Sequence, residues 1–356
     1  MTKSVSYFDV LDGLRGTAAI VILVFHYMEM IYPVDYSENF IGHGFLAVDF
    51  FFCLSGFVIG FAYDHRLKTI GLKGFFINRL IRLHPLVVLG SLIGLTGFVF
   101  NPFVDGTEAG WRNIWLAFSG SILLIPTPFL PFRFGGLFPY NTPSWSLFLE
   151  YIINVVYAIV LCRIKKFGLL VLGCICAGWL MYTSYKSGWL INGWDINTIA
   201  DGFPRVAYSF TAGLLIFRFG WTFNNKLGFI FPFILLMGVF VFPHVDNDWL
   251  TEALMVIVAF PLIISIGAGA NVTGWMKKMC IFIGKLSYPL YMTHITTVWI
   301  FGDYYNKVKP QGVELSVLVA CLCLFNLTFA YCVMRLFDEP FRTWLTQKRK
   351  QYAKKK

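Results

Sequence analysis

Apolar runs near residues 11–33, 42–63, 80–101, 144–162, 168–186, 203–219, 227–243, 249–270, 281–301 and 312–337 leave this chain few ways to fold. A helix needs about 20 apolar residues, at ~1.5 Å each, to cross the hydrocarbon of a bilayer. In lipid every backbone N–H and C=O must be paired within the protein, so runs of this length and number predict packed helices. The expected fold is an all-α polytopic membrane protein of about ten transmembrane helices. Only 13% of residues are charged and 57% are hydrophobic, which excludes a soluble domain. The partner implied first is therefore the lipid bilayer.

The net charge of +10 is gathered in a few clusters. This fits membrane topology, not nucleic-acid binding. With the N-terminus inside, the basic stretch 64–82 also falls inside. The short apolar stretch 113–126 then decides the rest. If it spans, Arg163, Lys165 and Lys166 land outside. If it does not, they land inside with Arg218, Lys226, Lys277, Lys278 and the lysine-rich end. The second arrangement also puts Asp35, Glu38, Asp105, Glu108, Asp246 and Asp248 outside. The expectation is an inner-membrane protein with both termini cytoplasmic. Residues 1–343 would form one bundle, 102–143 an outer loop folding back into the membrane, and 344–356 a basic tail. Met1 to Ser6 carries no cleavable-signal pattern. The eight cysteines lie in or beside apolar runs at no zinc-like spacing, so they read as reduced core residues and no metal is expected.

The first run carries the charged residues Asp12 and Arg15, with His26 further along. At ~1.5 Å per residue, Arg15 and His26 are about 16 Å apart on the helix axis, half the hydrocarbon thickness. An intramembrane imidazole is a functional candidate by default. The same topology puts Asp49, Glu150 and His294 at similar depth in the outer half. They would form one polar chamber, or else a structural network of mutually satisfied groups. Near the inner face it places Arg15, Arg79, Arg82, His84 and Arg342. These read as an anion site, since arginine suits phosphate, or as positive-inside charge.

Six stretches, in order, are similar to a known pattern: Tyr-Phe-Asp-Val-Leu-Asp-Gly-Leu-Arg-Gly (7–16), Val-Asp-Phe-Phe-Phe-Cys-Leu-Ser-Gly-Phe-Val-Ile (48–59), Asn-Arg-Leu-Ile-Arg-Leu-His-Pro (78–85), Pro-Ser-Trp-Ser-Leu-Phe-Leu-Glu-Tyr (143–151), Gly-Lys-Leu-Ser-Tyr-Pro-Leu-Tyr-Met-Thr-His (284–294) and Asp-Glu-Pro-Phe-Arg (338–342). The chain thereby resembles the family-3 membrane acyltransferases, which O-acylate carbohydrates. His84 stands where many members have Tyr or Trp, and Tyr151 where many have a second acidic residue. The chain also stops at Lys356, without the extracellular hydrolase domain of some members, so transfer is expected to finish within the bundle.

The resemblance implies an acyl-CoA donor, most simply acetyl-CoA, held from the cytoplasm by Arg15, Arg79, Arg82 and Arg342 with Asp12. It implies that His26 is a general base or a nucleophile. Glu150 or Asp49 would orient the imidazole, and His294 would assist. A carbohydrate or glycoconjugate acceptor would enter from the outer side, where Trp145 and Phe134 could stack on a sugar. Acceptor identity, acyl length and oligomeric state stay open. A proton-coupled transporter or a lipid or glycan flippase would also use intramembrane His, Glu and Asp residues. A transporter is further expected to carry inverted repeats, and none is visible.

Overall fold

A computed structural model describes residues 8–33, 38–128 and 135–354. Among the described residues no strand forms. The chain is built of helices α1 (Asp9–Ile31), α2 (Ala47–Tyr63), α3 (Leu67–Val99), α4 (Trp111–Leu123), α5 (Ser144–Ile159), α6 (Lys166–Ser187), α7 (Ile199–Phe219), α8 (Ile230–Phe240), α9 (Asp248–Leu254), α10 (Phe260–Ala268), α11 (Gly274–Thr293), α12 (Ile295–Val308), α13 (Gly312–Val333) and α14 (Glu339–Lys354). A 3-10 turn, Gly42–Leu46, leads into α2, and π-helical turns join α9 to α10 and α13 to α14. Seven helical stretches are long and apolar enough to cross a membrane: Asp9–Ile31, Gly42–Tyr63, Leu67–Val99, Ser144–Arg163, Lys166–Ser187, Asp248–Ala268 and Gly312–Gln351.

The differences from the expected runs have local causes. The run expected at 80–101 starts at Leu67, so Arg79 and Arg82 lie inside α3 and not at a helix end. Lysine, arginine and leucine are good helix formers, and a charge cluster reports depth, not the end of a helix. Gly71, at φ 68°, bends this helix near its start. The run expected at 281–301 is broken between Thr293 and Ile295. Beyond the break, the Thr297 hydroxyl caps the His294 carbonyl at 2.7 Å. The run expected at 227–243 keeps only eleven helical residues. The short stretch near 113–126 becomes α4, with thirteen residues and an end at Leu124, φ 54°. At ~1.5 Å per residue it reaches about 20 Å, short of a bilayer. The expected basic tail continues the helix as α14.

Two close helix pairs set the frame. On α1, a Cβ at Gly16 would stand 2.6 Å from the Ile283 carbonyl of α11. On α11, a Cβ at Gly284 would stand 2.6 Å from the Asp12 Cβ. Gly56 of α2 similarly faces the backbone of Phe210 on α7, and Gly213 of α7 that of Cys53 on α2. Small residues of this kind let helix backbones approach where lipid supplies no hydrophobic drive between them. At one end of the bundle Arg218 of α7 donates to Asp64, just past α2, at 2.7 and 3.0 Å, and to the Ile164 carbonyl, just past α5, at 2.8 Å. Helices α2, α5 and α7 therefore all finish at that end.

Candidate functional site

His26 lies in the last turns of α1, its side chain 21% exposed. Its Nδ1–H donates to Glu29 Oε2 at 2.9 Å. The spacing is i, i+3, which puts both side chains on one helix face. With Nδ1 so engaged, Nε2 carries the lone pair. A carboxylate fixing the tautomer of an imidazole is the arrangement that lets the other nitrogen act as base. The ring of His294 lies against that of His26, with centroids 5.4 Å apart and planes at 25°. His294 is fully buried at the α11–α12 break. Its Nδ1–H donates to the Leu290 carbonyl at 3.0 Å, and its buried Nε2 has no hydrogen-bond partner.

The helix break is held from three sides. Tyr27 of α1, Thr297 of α12 and Asn326 of α13 share hydrogen bonds of 2.8 to 3.0 Å. Asn141 donates to the Met292 carbonyl at 3.1 Å, and Tyr291 meets Ser146 of α5 at 2.8 Å. The described end of the long loop is thus packed beside the two histidines, with Leu137, Phe138 and Tyr140 buried.

The carboxylates expected to orient His26 are engaged elsewhere. Asp49 and Arg205 form a buried bidentate pair, with Nη2 to Oδ2 at 2.5 Å and Nε to Oδ1 at 3.1 Å. Arg205 also donates to the Asn192 carbonyl at 2.6 Å, and its guanidinium sits 5.2 Å from the centre of the Trp145 ring. Trp145 is itself buried, so Arg205 occupies a face expected to serve a sugar. Phe134 lies outside the described residues. Sequence reasoning passed over Arg205. The signal was present, because an arginine within an apolar helix needs a buried partner.

Glu150 accepts from Arg79 Nη2 at 2.6 Å, Ser55 Oγ at 2.5 Å and Asn154 Nδ2 at 3.3 Å. Arg79 was expected near the inner face and Glu150 in the outer half, yet the two touch. The early start of α3 accounts for this: Arg79 lies about two turns beyond the bend at Gly71, ~12 Å at 1.5 Å per residue. The Nε of Arg79 and the hydroxyl of Tyr151 remain buried without a hydrogen-bond partner. Buried polar atoms left so are costly and mark where a ligand group could dock.

The other basic residues divide. Arg15 binds Asp12 at 2.7 Å, Ser287 Oγ at 3.0 Å and the Gly284 carbonyl at 2.7 Å, tying α1 to α11. Arg342 is 3.5 Å from Asp338. Arg82 is exposed one turn beyond Arg79. Three of the four arginines expected to hold an anion thus already face a carboxylate.

The profile of an acyltransferase domain matches residues 8–335. The chain belongs to the family-3 acyltransferases. Several curated proteins are similar to it. "Protein 2 in picA locus" of Rhizobium radiobacter is 36% identical over 162 residues, covering 42% of this chain and 81% of that protein. A Staphylococcus aureus (strain COL) protein, provisionally named an O-acetyltransferase, is 23% identical across 96% of this chain, which spans 58% of that relative's length. The acyltransferase MdmB of Streptomyces mycarofaciens is 25% identical over 81% of this chain and 78% of its own. No solved structure matches. For this acyltransferase the geometry brings together His26, His294 and the unforeseen Glu29. It turns Asp49 and Glu150 toward arginines.

Proposed function

We propose that this acyltransferase moves an acyl group, most simply acetyl, from acyl-CoA to a hydroxyl of a carbohydrate or glycoconjugate. His26 Nε2 takes the proton of the acceptor hydroxyl, and the oxygen attacks the thioester carbonyl. The C–S bond breaks, and the proton passes from the imidazolium to the departing thiolate. The 2.9 Å hydrogen bond from His26 Nδ1 to Glu29 carries this reading, because it leaves Nε2 basic. The buried Nε of Arg79 and the exposed guanidinium of Arg82 are the groups offered to the donor. Trp145, Asp49 and Arg205 shape the wall beside the site and do not take part in transfer.

The protein is read as a multi-pass protein of the inner membrane, with about ten crossings and cytoplasmic termini. Support comes from Arg218, which gathers the ends of α2, α5 and α7 at one end of the bundle, as expected if α4 does not cross. Purified protein with labelled acetyl-CoA and a crude glycan fraction tests the reaction. Labelled glycan with wild type and none with His26→Ala is expected. Equal labelling by both refutes the mechanism, and no turnover by wild type favours transport. For topology, cysteines at Glu38, Glu108 and Asp246 should react with an impermeant maleimide in intact cells, and one at Arg163 should not.

A further inference from the structure

A second group of ionisable side chains gathers at the end of the bundle where α1 gives way to α2, and transfer does not use it. His43 is fully buried in the Gly42–Leu46 turn. His244 lies between α8 and α9, Asp248 opens α9, and Glu252 follows one turn later, also fully buried. Ligand atoms of His43, His244 and Asp248 all lie within 4.8 Å of one another. His43 Nε2 is 3.7 Å from Glu252 Oε1 and 3.9 Å from Asp248 Oδ1. Those separations are too long for hydrogen bonds. Accordingly His43 Nε2, Glu252 Oε1 and His244 Nε2 are all buried without a partner.

The remaining atoms of the cluster have partners. His43 Nδ1–H donates to the Phe242 carbonyl at 2.9 Å, which leaves Nε2 as a lone pair. Glu252 Oε2 accepts from the Leu190 N–H at 2.5 Å, and Asp248 accepts from His244 Nδ1–H at 2.6 Å and from the Val245 N–H at 2.9 Å. His43 is held as histidine ligands of metals typically are, its far nitrogen donating to a carbonyl. A tetrahedral ion at ~2.0–2.2 Å from its ligands sets them roughly 3.3–3.6 Å apart. The His43 separations of 3.7 and 3.9 Å, and the 4.8 Å limit across His43, His244 and Asp248, are wider than this, so loading would draw the ligands inward.

We propose that His43, His244, Asp248 and Glu252 form a binding site for a divalent transition-metal cation, with zinc the best fit. Two imidazoles and two carboxylates match zinc's nitrogen and oxygen ligands and its coordination number. Calcium and magnesium call for six or more oxygens, which these residues do not supply. The rings of His43 and His244 are stacked 4.3 Å apart at 22°. His43, Asp248 and Glu252 therefore supply three positions, and His244 closes the fourth by turning out of the stack and releasing its bond to Asp248. The ion would pin the Gly42–Leu46 turn to α9 and, through Leu190, to the segment between α6 and α7. That turn packs on Phe25, the neighbour of His26: a Cβ at Gly44 would lie 2.7 Å from the Phe25 side chain. This site stands independently of the transfer mechanism.

The test uses full-length protein in detergent, stripped with a chelator and dialysed against buffered zinc. One zinc per chain is expected, with a raised unfolding temperature, and cobalt should give the intense visible bands of a tetrahedral site. His244→Ala and Glu252→Gln should weaken zinc binding by more than the about 10- to 100-fold that a lost supporting hydrogen bond costs. His65→Ala, at an exposed position, should change nothing. Glu252→Gln is nearly the same size and His244 is partly exposed, so both variants are expected to fold; circular dichroism checks this. Wild-type protein that takes up no stoichiometric zinc, or folded variants that bind it as tightly as wild type, would overturn the proposal.

Discussion

His26 and His294 lie ring against ring, 5.4 Å between centroids, each spending its Nδ1–H on an acceptor in its own helix segment. The close approach of α1 to α11 at Gly16 and Gly284 brings them together. Only His26 has a carboxylate behind it. His294 is buried against a neutral carbonyl, so an imidazolium there would lack a counter-charge. The asymmetry supports the proposed role of His26 as base, with His294 in a supporting place.

His26→Ala is accordingly expected to lower the rate of transfer by at least 10²-fold, within the ~10²–10⁴-fold range of a lost general base. His26→Gln keeps a hydrogen bond but supplies no base, and it should be equally inactive. His294→Ala should lose activity only in part. Single-turnover transfer from labelled acetyl-CoA checks all three. A His26→Ala enzyme with more than about a tenth of the wild-type rate would remove His26 from the base position.

Glu29→Gln isolates the positioning carboxylate. It should lower kcat by ~10-fold or more and leave the KM for acyl-CoA close to wild type. The loss should stop short of the ~10⁴-fold recorded when a fully buried triad carboxylate is neutralised, because the Glu29 side chain is 24% exposed. Glu29→Asp should recover part of the rate. An equal rise in KM with kcat unchanged would place Glu29 in donor binding instead.

Asp49 and Arg205 predict a stability effect in place of a catalytic one. Their side chains are 0% and 1% exposed, and each is the other's counter-charge. Asp49→Asn or Arg205→Met leaves one buried charge uncompensated, at a cost of about 3–5 kcal/mol. The double variant should recover most of that loss. Thermal unfolding in detergent measures the cycle. Two single losses that simply add would show that the pair is not coupled.

Arg82 is the cleanest probe of the proposed donor site, because Arg82→Ala removes an exposed side chain. Donor affinity is expected to fall about ten- to a hundred-fold, the worth of one charge-assisted hydrogen bond of roughly 1.5–3 kcal/mol to phosphate. A dephospho-CoA thioester should narrow the gap if the ribose phosphate is the partner. Arg15→Ala is less direct, since Arg15 also joins α1 to Ser287 and Gly284. Unchanged affinity in Arg82→Ala would reduce that charge to a topological signal.

Much of the fold was legible in the chain, because lipid imposes its requirement locally. Length and apolarity settled that 9–31, 42–63, 144–163 and 166–187 are helical, with bounds close to those read from the runs. The six ordered stretches were enough to indicate the family. The separation of Arg15 from His26 placed the imidazole within α1, and Glu29, three residues on, was within reach of the same helical arithmetic. Charged helix starts such as Leu67–Arg79 were not legible, because a charge cluster looks the same in a helix as in a loop.

The tertiary structure alone decided the partners. Spacing along α1 puts Glu29 within reach of His26, but nothing local shows that Glu150 and Asp49 are engaged elsewhere. That follows from which helices approach closely, and glycines at positions 16, 56, 213 and 284 mark two of those approaches. Arg79 meets Glu150, Arg205 meets Asp49, and His43 meets His244 and Glu252 across long stretches of sequence. Sequence by itself determined what each segment must bury. A buried charge or lone pair needs a partner in space, and only the packing of whole helices determines which side chain supplies it.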